Sequence, residues 1–299
     1  MPINPVTRFA PSPTGYLHRG HAYSALLNAA LADARGGSMI LRIENADQGR
    51  CRPAFETALF DDLAWLGITW DEPALYQAER FDLYREAIDR LQTDGLLYRC
   101  FKTRAELVSL AAAPHGPGPK PPLTARLPER EERRLLDDGK PFAWRLDAAA
   151  ARAAIGKDEL TWTEEHPAAE AKESLDRSLL AHAPFTVHRF SLTDIGDDVL
   201  ARKDFPMSYH LASTIDDNAQ GVKLICRGED LRSAIPIQRT IQELLGLTPP
   251  VYRHHHLITD DRGRRLAKRD RAATLQAARE KGITADEIKR QLFPNSSRA

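Results

Sequence analysis

The sequence predicts an α/β fold: a mainly parallel, Rossmann-type sheet with an inserted small α+β module and a short C-terminal helical segment. Three observations predict it. Residues 6–44 read as strand, turn, helix and strand; the alternation weakens between residues 102 and 195, around the turn-rich stretch AAPHGPGPKPP; and it resumes from residue 196. The matching division is 1–101 for the first half of the sheet domain, 102–195 for the insertion, 196–250 for the second half, and 251–299 for a basic loop with the C-terminal helices.

VTRFA is a short apolar-rich strand stopped by Pro11. A helix follows over 20–35, with Ala22, Leu26, Leu27, Ala30 and Leu31 on helical spacing and Gly36-Gly37 as its stop. SMILRIE, rich in branched residues, is the second strand. RPAFETALFDDLAWLG and ERFDLYREAIDRLQTDG read as helices, the second closing on Gly95 before the apolar LLYRCF. In the insertion, PFAWRLDAAAA and PFTVHRFSLTD look like strands of a separate small module. The α/β pattern returns with DDVLARKD, a helix around SYHLASTIDD, the strand VKLICRG and a helix over 236–245. TLQAAREKGITADEIKRQLF reads as two short helices.

A chain of 299 residues with 42% apolar content is long enough to bury a sizeable core. Lys plus Arg equals Asp plus Glu at 42 each, so net charge gives no pointer to nucleic acid, and local clustering carries more information. The densest basic run is RGRRLAKRDR, whereas EREERR mixes signs and reads as a solvated helix face. No secretory leader and no run of eighteen apolar residues is visible, which sets the expectation of a cytoplasmic protein with no membrane partner. Cys51, Cys100 and Cys226 are odd in number, far apart and without a C-x-x-C pair, so they read as reduced thiols.

The chemistry concentrates in two stretches. SPTGYLHRGHAYSALLNAA places His18, Gly20 and His21 where a strand turns into a helix, a position whose backbone N–H groups and dipole favour an anion. With 10 His and 17 Gly in 299 residues, a chance His-x-Gly-His is expected about 0.02 times, so the tetrad is a moderately specific signal. The second stretch, GRRLAKRD, presents Lys268 and Arg269 on a basic loop able to close over a triphosphate. Alone it would be a solvated basic loop; beside the tetrad it suggests two halves of one phosphate site. The run RHHHL tempts a metal reading, but adjacent side chains diverge and no metal ligand is assigned there.

RFAPSPTGYLHRGHAYSALLNAALADARGGSMILRIENAD together with GRRLAKRD resembles the two ATP motifs of the class I aminoacyl-tRNA synthetases, specifically the glutamyl group. Within that group, CRPAFETALFDDLAWLGITWDEP and the short length are similar to the truncated members that glutamylate queuosine in tRNA(Asp). The resemblance implies a class I synthetase catalytic domain with an acceptor-binding-like insertion. His18, His21 and Lys268 would be catalytic, and His18, Gly20, His21, Lys268 and Arg269 would bind ATP. Arg8, Ser12, Glu44, Tyr209 and Arg227 would hold glutamate. The chemistry agrees, since a zwitterion with an extra carboxylate needs guanidinium forks and a carboxylate for its ammonium. Mg²⁺ is implied by the triphosphate.

The implied partners are L-glutamate, ATP and the anticodon stem-loop of tRNA(Asp), served by a monomer. A compact chain of this length has a radius of gyration of roughly 19 Å, so it is expected to read one end of a tRNA locally. Several positions depart from the family pattern: Arg19 in the tetrad, Asn45 in Glu-Asn-Ala-Asp, Arg265 and Ala267 in the basic loop, and Ser213 where discriminating enzymes carry Asn. Short members often bind zinc through three Cys and a Tyr. The matching places here hold Cys100, Lys102, Pro121 and Ala125, so zinc is expected to be absent. Two alternatives stay open on sequence alone: a glutamate-activating paralogue with another acceptor, and a catalytically impaired tRNA-binding module.

Overall fold

Branched and apolar residues at 38–43 leave five of six strand positions buried, the pattern of a strand covered on both faces, and this strand lies at the heart of the fold. The computed structural model describes residues 4–103, 106, 126–167, 174–202, 207–259 and 274–296. In chain order its strands are β1 (Val6–Phe9), β2 (Ser38–Ile43), β3 (Leu75–Tyr76), β4 (Leu97–Cys100), β5 (Ala143–Leu146), β6 (Glu159–Glu165), β7 (Phe185–Ser191), β8 (Val199–Arg202), β9 (Leu224–Gly228) and β10 (Val251–His255). The helices are α1 (Arg19–Ala34), α2 (Pro53–Trp65), α3 (Phe81–Thr93), α4 (Glu129–Asp137), α5 (Ala148–Ile155), α6 (Arg177–Leu180), α7 (Tyr209–Ala219), α8 (Ile235–Leu245), α9 (Leu275–Glu280) and α10 (Ala285–Leu292).

Parallel ladders join β1 to β2 and β2 to β3, and a second set joins β9 to β10 and β10 to β6, with β7 antiparallel on the outer edge of β6. The two sets meet where the Lys223 N–H donates to the Val6 carbonyl at 3.0 Å. The strand order is therefore β3-β2-β1-β9-β10-β6-β7, which reverses direction between β1 and β9. In an open α/β sheet that switch point is where ligands bind, at the carboxyl ends of the strands. A third sheet, β4-β5-β8, is antiparallel.

Two apolar cores support the halves. One packs α1, α2, β1 and β2 together with Leu275, Ile288, Leu292 and Phe293 of the C-terminal segment; the other packs α3, α7 and α8 against β4, β5 and β8. Phe293 stacks on Tyr23 of α1 at 4.6 Å, so the tail helices belong to the sheet domain's own core. The turn from α1 into β2 requires glycine: a Cβ on Gly37 would lie 2.1 Å from the Pro5 carbonyl oxygen.

The insertion differs from the sequence expectation. Its strands do form, but not in a separate sheet: β5 sits between β4 and β8, while β6 pairs in parallel with β10. DDVLARKD likewise supplies β8 to the antiparallel sheet and not to the parallel one. The parallel strand β6 escapes notice because it ends in two buried carboxylates, Glu164 and Glu165, which interrupt the apolar run that marks such strands. Among the described residues no helix is long and apolar enough to cross a membrane.

Candidate active site

The strand-to-helix turn after β1 is built by the tetrad itself. His18 is the N-cap of α1; its Nδ1 accepts the Gly20 N–H at 3.1 Å, and the His21 Nδ1 accepts the His18 N–H at 3.1 Å. This is a reciprocal capping box made from two imidazoles. Because each Nδ1 is committed as an acceptor, the neutral rings carry their protons on Nε2 and present N–H donors there. The rings lie 3.9 Å apart and tilted by 35°. Gly20 lets His18 fold back: a Cβ there would meet the His18 Cε1 at 3.0 Å. The helix start thus sets two imidazoles at the positive end of a dipole, a position suited to anionic oxygens.

Across the switch point, Arg8, Ser12, His18, Gly20, His21, Glu44, Tyr209 and Arg227 all line one cleft of about 250 Å³. Every sequence-derived site residue that falls within the described residues is among them. Lys268, Arg269, Arg265 and Ala267 lie outside the described residues. The cleft is also walled by Ser24, Asp230, Leu257 and Ile258, which sequence reasoning did not assign, and by His255, which it noted only within the run RHHHL.

Two buried arginine centres connect to this cleft, one through Glu44 and Arg8 and one by lining it directly. The first is Arg42, wholly buried in β2. It donates to Asp217 at 2.7 Å, to Gln220 at 3.1 Å and to Glu44 at 3.3 Å, with Asp216 at 4.0 Å. Asp217 also accepts from the Arg8 Nε at 3.1 Å, while the Arg8 Nη1 reaches the Cys226 carbonyl at 3.3 Å. Asp216 accepts from Gln77, Arg80 and Tyr84. Burial pushes the Asp217 carboxyl up, but Arg42 and Arg8 prevail and hold it below the usual range. Glu44 goes the other way: burial raises it more than Arg42 and Arg8 lower it, with 15% of its side chain open. Arg42 was not singled out from sequence; the lone arginine inside MILRI was the signal available, and two of its three carboxylates, Asp216 and Asp217, lie far along the chain.

The second centre is Arg227, at the end of β9 and 4% exposed. Its Nη1 donates to Gln238 at 2.9 Å, its Nε donates to the His254 Nε2 at 3.3 Å, and its guanidinium lies 5.3 Å over the Tyr252 ring. All of these partners are neutral, and the Nη2 has none. Among the described residues Arg227 makes no ion pair. Gln238 passes its amide N–H to the Ser213 Oγ at 2.8 Å, which donates to the Tyr209 carbonyl at 2.7 Å, so Ser213 braces the helix that presents Tyr209. Burial raises the Tyr209 hydroxyl pKa against the pull of Arg227, keeping it a donor.

Of the described departures from the family pattern, Ser213 and Asn45 have local explanations and Arg19 has none in the structure. Asn45 accepts the Ala78 N–H at 2.9 Å through Oδ1, a task that needs an acceptor and no charge. Of the three histidines of β10 and its exit, His254 faces Glu164, whereas His255 and His256 both pack on Tyr23. Cys100 is 1% exposed, with its thiol directed at the Lys102 carbonyl 3.8 Å away. Among the described residues no group of three His, Cys, Asp or Glu is placed to hold a metal ion; Pro121 and Ala125 lie outside them.

Comparison with known proteins bears on this geometry. The family model "tRNA synthetases class I (E and Q), catalytic domain" matches residues 5–159 and 185–292. The chain is 42% identical to a glutamyl-Q tRNA(Asp) synthetase of Rhodobacter capsulatus over 95% of its own length and 98% of that protein. It is 34% identical to glutamate–tRNA ligase 2 of Cereibacter sphaeroides, spanning 58% of that protein. Among solved structures, glutamate-tRNA synthetase from Elizabethkingia anophelis superposes with a TM-score of 0.68 at 25% identity, covering 89% of this chain and 53% of that one.

Proposed function

The chain belongs to the family of class I tRNA synthetases of the E and Q type, and on that premise we propose that it activates glutamate with ATP and transfers it to queuosine in the anticodon of tRNA(Asp). The observation that carries the reading is the convergence of eight sequence-derived residues from four separate stretches on one cleft at the switch point of the sheet.

In this reading Arg227 and Arg8 grip the two carboxylates of glutamate, the ammonium faces Glu44, and the Tyr209 hydroxyl donates to the ligand. Arg227 brings a buried charge with no internal counter-ion, and a ligand carboxylate supplies one. The α-carboxylate attacks the α-phosphorus of ATP, the bond to the bridging oxygen breaks, and pyrophosphate leaves. The Nε2–H donors of His18 and His21 stabilise the charge that builds on the phosphates, by position and not as nucleophiles. By the resemblance of the basic loop, Lys268 and Arg269 are assigned to the same phosphates. A queuosine hydroxyl then takes the glutamyl group, releasing AMP. Magnesium enters with the triphosphate, and no residue is assigned to it.

Labelled glutamate is expected on tRNA(Asp) carrying queuosine and not on the same tRNA with guanosine at that position. Charging of tRNA(Glu) at its 3′ end, with no label on tRNA(Asp), would overturn the acceptor. Absence of glutamate-dependent ATP–pyrophosphate exchange would overturn the activation step. Lys268→Ala should lower turnover by about 3 kcal/mol in barrier, the scale of one preorganised donor, with little change in glutamate affinity.

A further inference from the structure

Three adjacent strands carry a row of buried polar side chains across the sheet: Glu164 on β6, His254 on β10 and Arg227 on β9. His254 and Arg227 are direct partners in the parallel ladder, and Glu164 is registered with Tyr252, two residues before His254. The Glu164 and His254 side chains are 1% and 0% exposed. The His254 Nδ1 lies 2.9 Å from Glu164 Oε1, and its Nε2 lies 3.3 Å from the Arg227 Nε. Only Arg227 lines the cleft.

The hydrogen-bond chemistry admits one arrangement. A guanidinium nitrogen has no lone pair to offer, so the Arg227 Nε–H must donate and the His254 Nε2 must accept. The ring proton is then on Nδ1 and is donated to Glu164, which also receives Arg232 at 2.7 Å. Gln238 fixes the Nη1 of the same guanidinium. With Nε and Nη1 both anchored to neutral acceptors, the plane of Arg227 is set and its Nη2 is left for a ligand. The neutral ring also separates a guanidinium from a carboxylate which, brought together in a buried site, would neutralise each other.

We propose that His254, held as its Nδ1–H tautomer by Glu164, is a positioning residue that aims Arg227 at the substrate carboxylate and keeps it from pairing with Glu164. The inference rests on the reading of Arg227 as a glutamate-binding residue. Removing the ring frees the Nε and opens a path to Glu164, so Arg227 withdraws from the cleft. ATP binding, made by other walls of the cleft, is untouched.

The test is glutamate-dependent ATP–pyrophosphate exchange on full-length variants, with ¹⁵N NMR of the histidine rings in the unmutated protein. His254→Leu is expected to raise KM for glutamate roughly ten- to hundred-fold, the range for a lost hydrogen bond to a charged group, with KM for ATP unchanged and kcat changed far less. His254→Gln, which keeps an acceptor, should recover most of that loss. His254→Ala combined with Glu164→Gln should bind glutamate better than His254→Ala alone, because the competing carboxylate is gone; a merely structural role would make the double variant worse. An Nε2–H tautomer at His254, or a folded His254→Leu with wild-type KM for glutamate, overturns the proposal. Should neither His254→Leu nor the double variant fold, the tautomer in the unmutated protein decides. Failure of the glutamate reading shows itself separately, as absent exchange in the unmutated protein.

Discussion

Arg227 lines the cleft and Arg42 lies behind it, one hydrogen bond from Glu44; both are buried, and they are satisfied in opposite ways. Arg42 sits among Asp217, Glu44 and Asp216, so its charge is compensated within the fold. Arg227 is held by an imidazole, a carboxamide and an aromatic ring, and its charge is compensated by nothing in the described residues. A buried charge without a partner is unfavourable, and folds keep such a charge where a ligand completes it. The comparison separates an arginine that holds the fold together from one whose charge the fold leaves open at the cleft, although burial alone would class them together.

The largest effect expected is on stability. Arg42→Met strips Asp217 of its closest partner and leaves three carboxylates crowded in a dry site, at about 3–5 kcal/mol, the usual penalty for breaking a buried ion pair from one side. Arg227→Met removes an uncompensated charge along with two hydrogen bonds, and should cost no more than about 1 kcal/mol. Urea unfolding of the two variants measures the difference, and glutamate-dependent exchange should be lost in the Arg227→Met protein while it remains folded. Equal destabilisation by the two substitutions would erase the distinction.

Acid sharpens the contrast. Burial is the chief cause that drives His254 down to about 4, opposed by its hydrogen bond to Glu164 and assisted by Arg227. Its folded value lies below its unfolded value of roughly 6.5, so the unfolded chain takes up the proton first. Stability therefore falls as pH drops through 6.5 and goes on falling to about 4, with about 2 kcal/mol lost between pH 7 and 5 from this residue alone. Asp217, held below its ordinary value, contributes stability above that value and loses it only at more acid pH. The Arg227 side should thus loosen before the Arg42 side. Urea midpoints at pH 7 and 5 should converge in His254→Gln; an unchanged gap would assign the acid sensitivity elsewhere, with His255, also driven down to about 4 by burial, the next group to test.

How much of this was legible in the sequence follows from how far apart the partners lie. The turn at residues 12–21 announces itself by composition, and the helix and strand around it by periodicity, since each signal is complete within a few residues. Arg42 stands out as a charge inside an apolar strand, yet its main partner is 175 positions away. Glu164 and His254 are 90 apart and meet only because β6 joins β10 in parallel, a pairing that the charged end of β6 conceals. Gln238 in IPIQRTIQELL reads as one more polar position of an amphipathic helix, and nothing local marks it as the residue that carries Arg227. The residues that line the cleft were therefore readable, whereas the residues that hold them in place depended on contacts between elements far apart in the chain.

The smallest effect expected comes from giving Arg227 an internal counter-ion. In Gln238→Glu a carboxylate would stand 2.9 Å from the Nη1, where a carboxamide oxygen now stands. The side chain is nearly isosteric, and the Ser213 hydroxyl can turn from the Tyr209 carbonyl to the new carboxylate, so the network keeps its shape. The guanidinium is then partly neutralised before substrate arrives, and the substrate carboxylate must share it. The fold should gain stability by up to about 1 kcal/mol, while KM for glutamate rises about tenfold, or about 1.4 kcal/mol, with KM for ATP unchanged. Stability and affinity should move in opposite directions because they draw on the same uncompensated charge. If Gln238→Glu bound glutamate as tightly as the unmutated protein, Arg227 would not be the residue whose charge the substrate completes, and the two arginines would differ only in their neighbours.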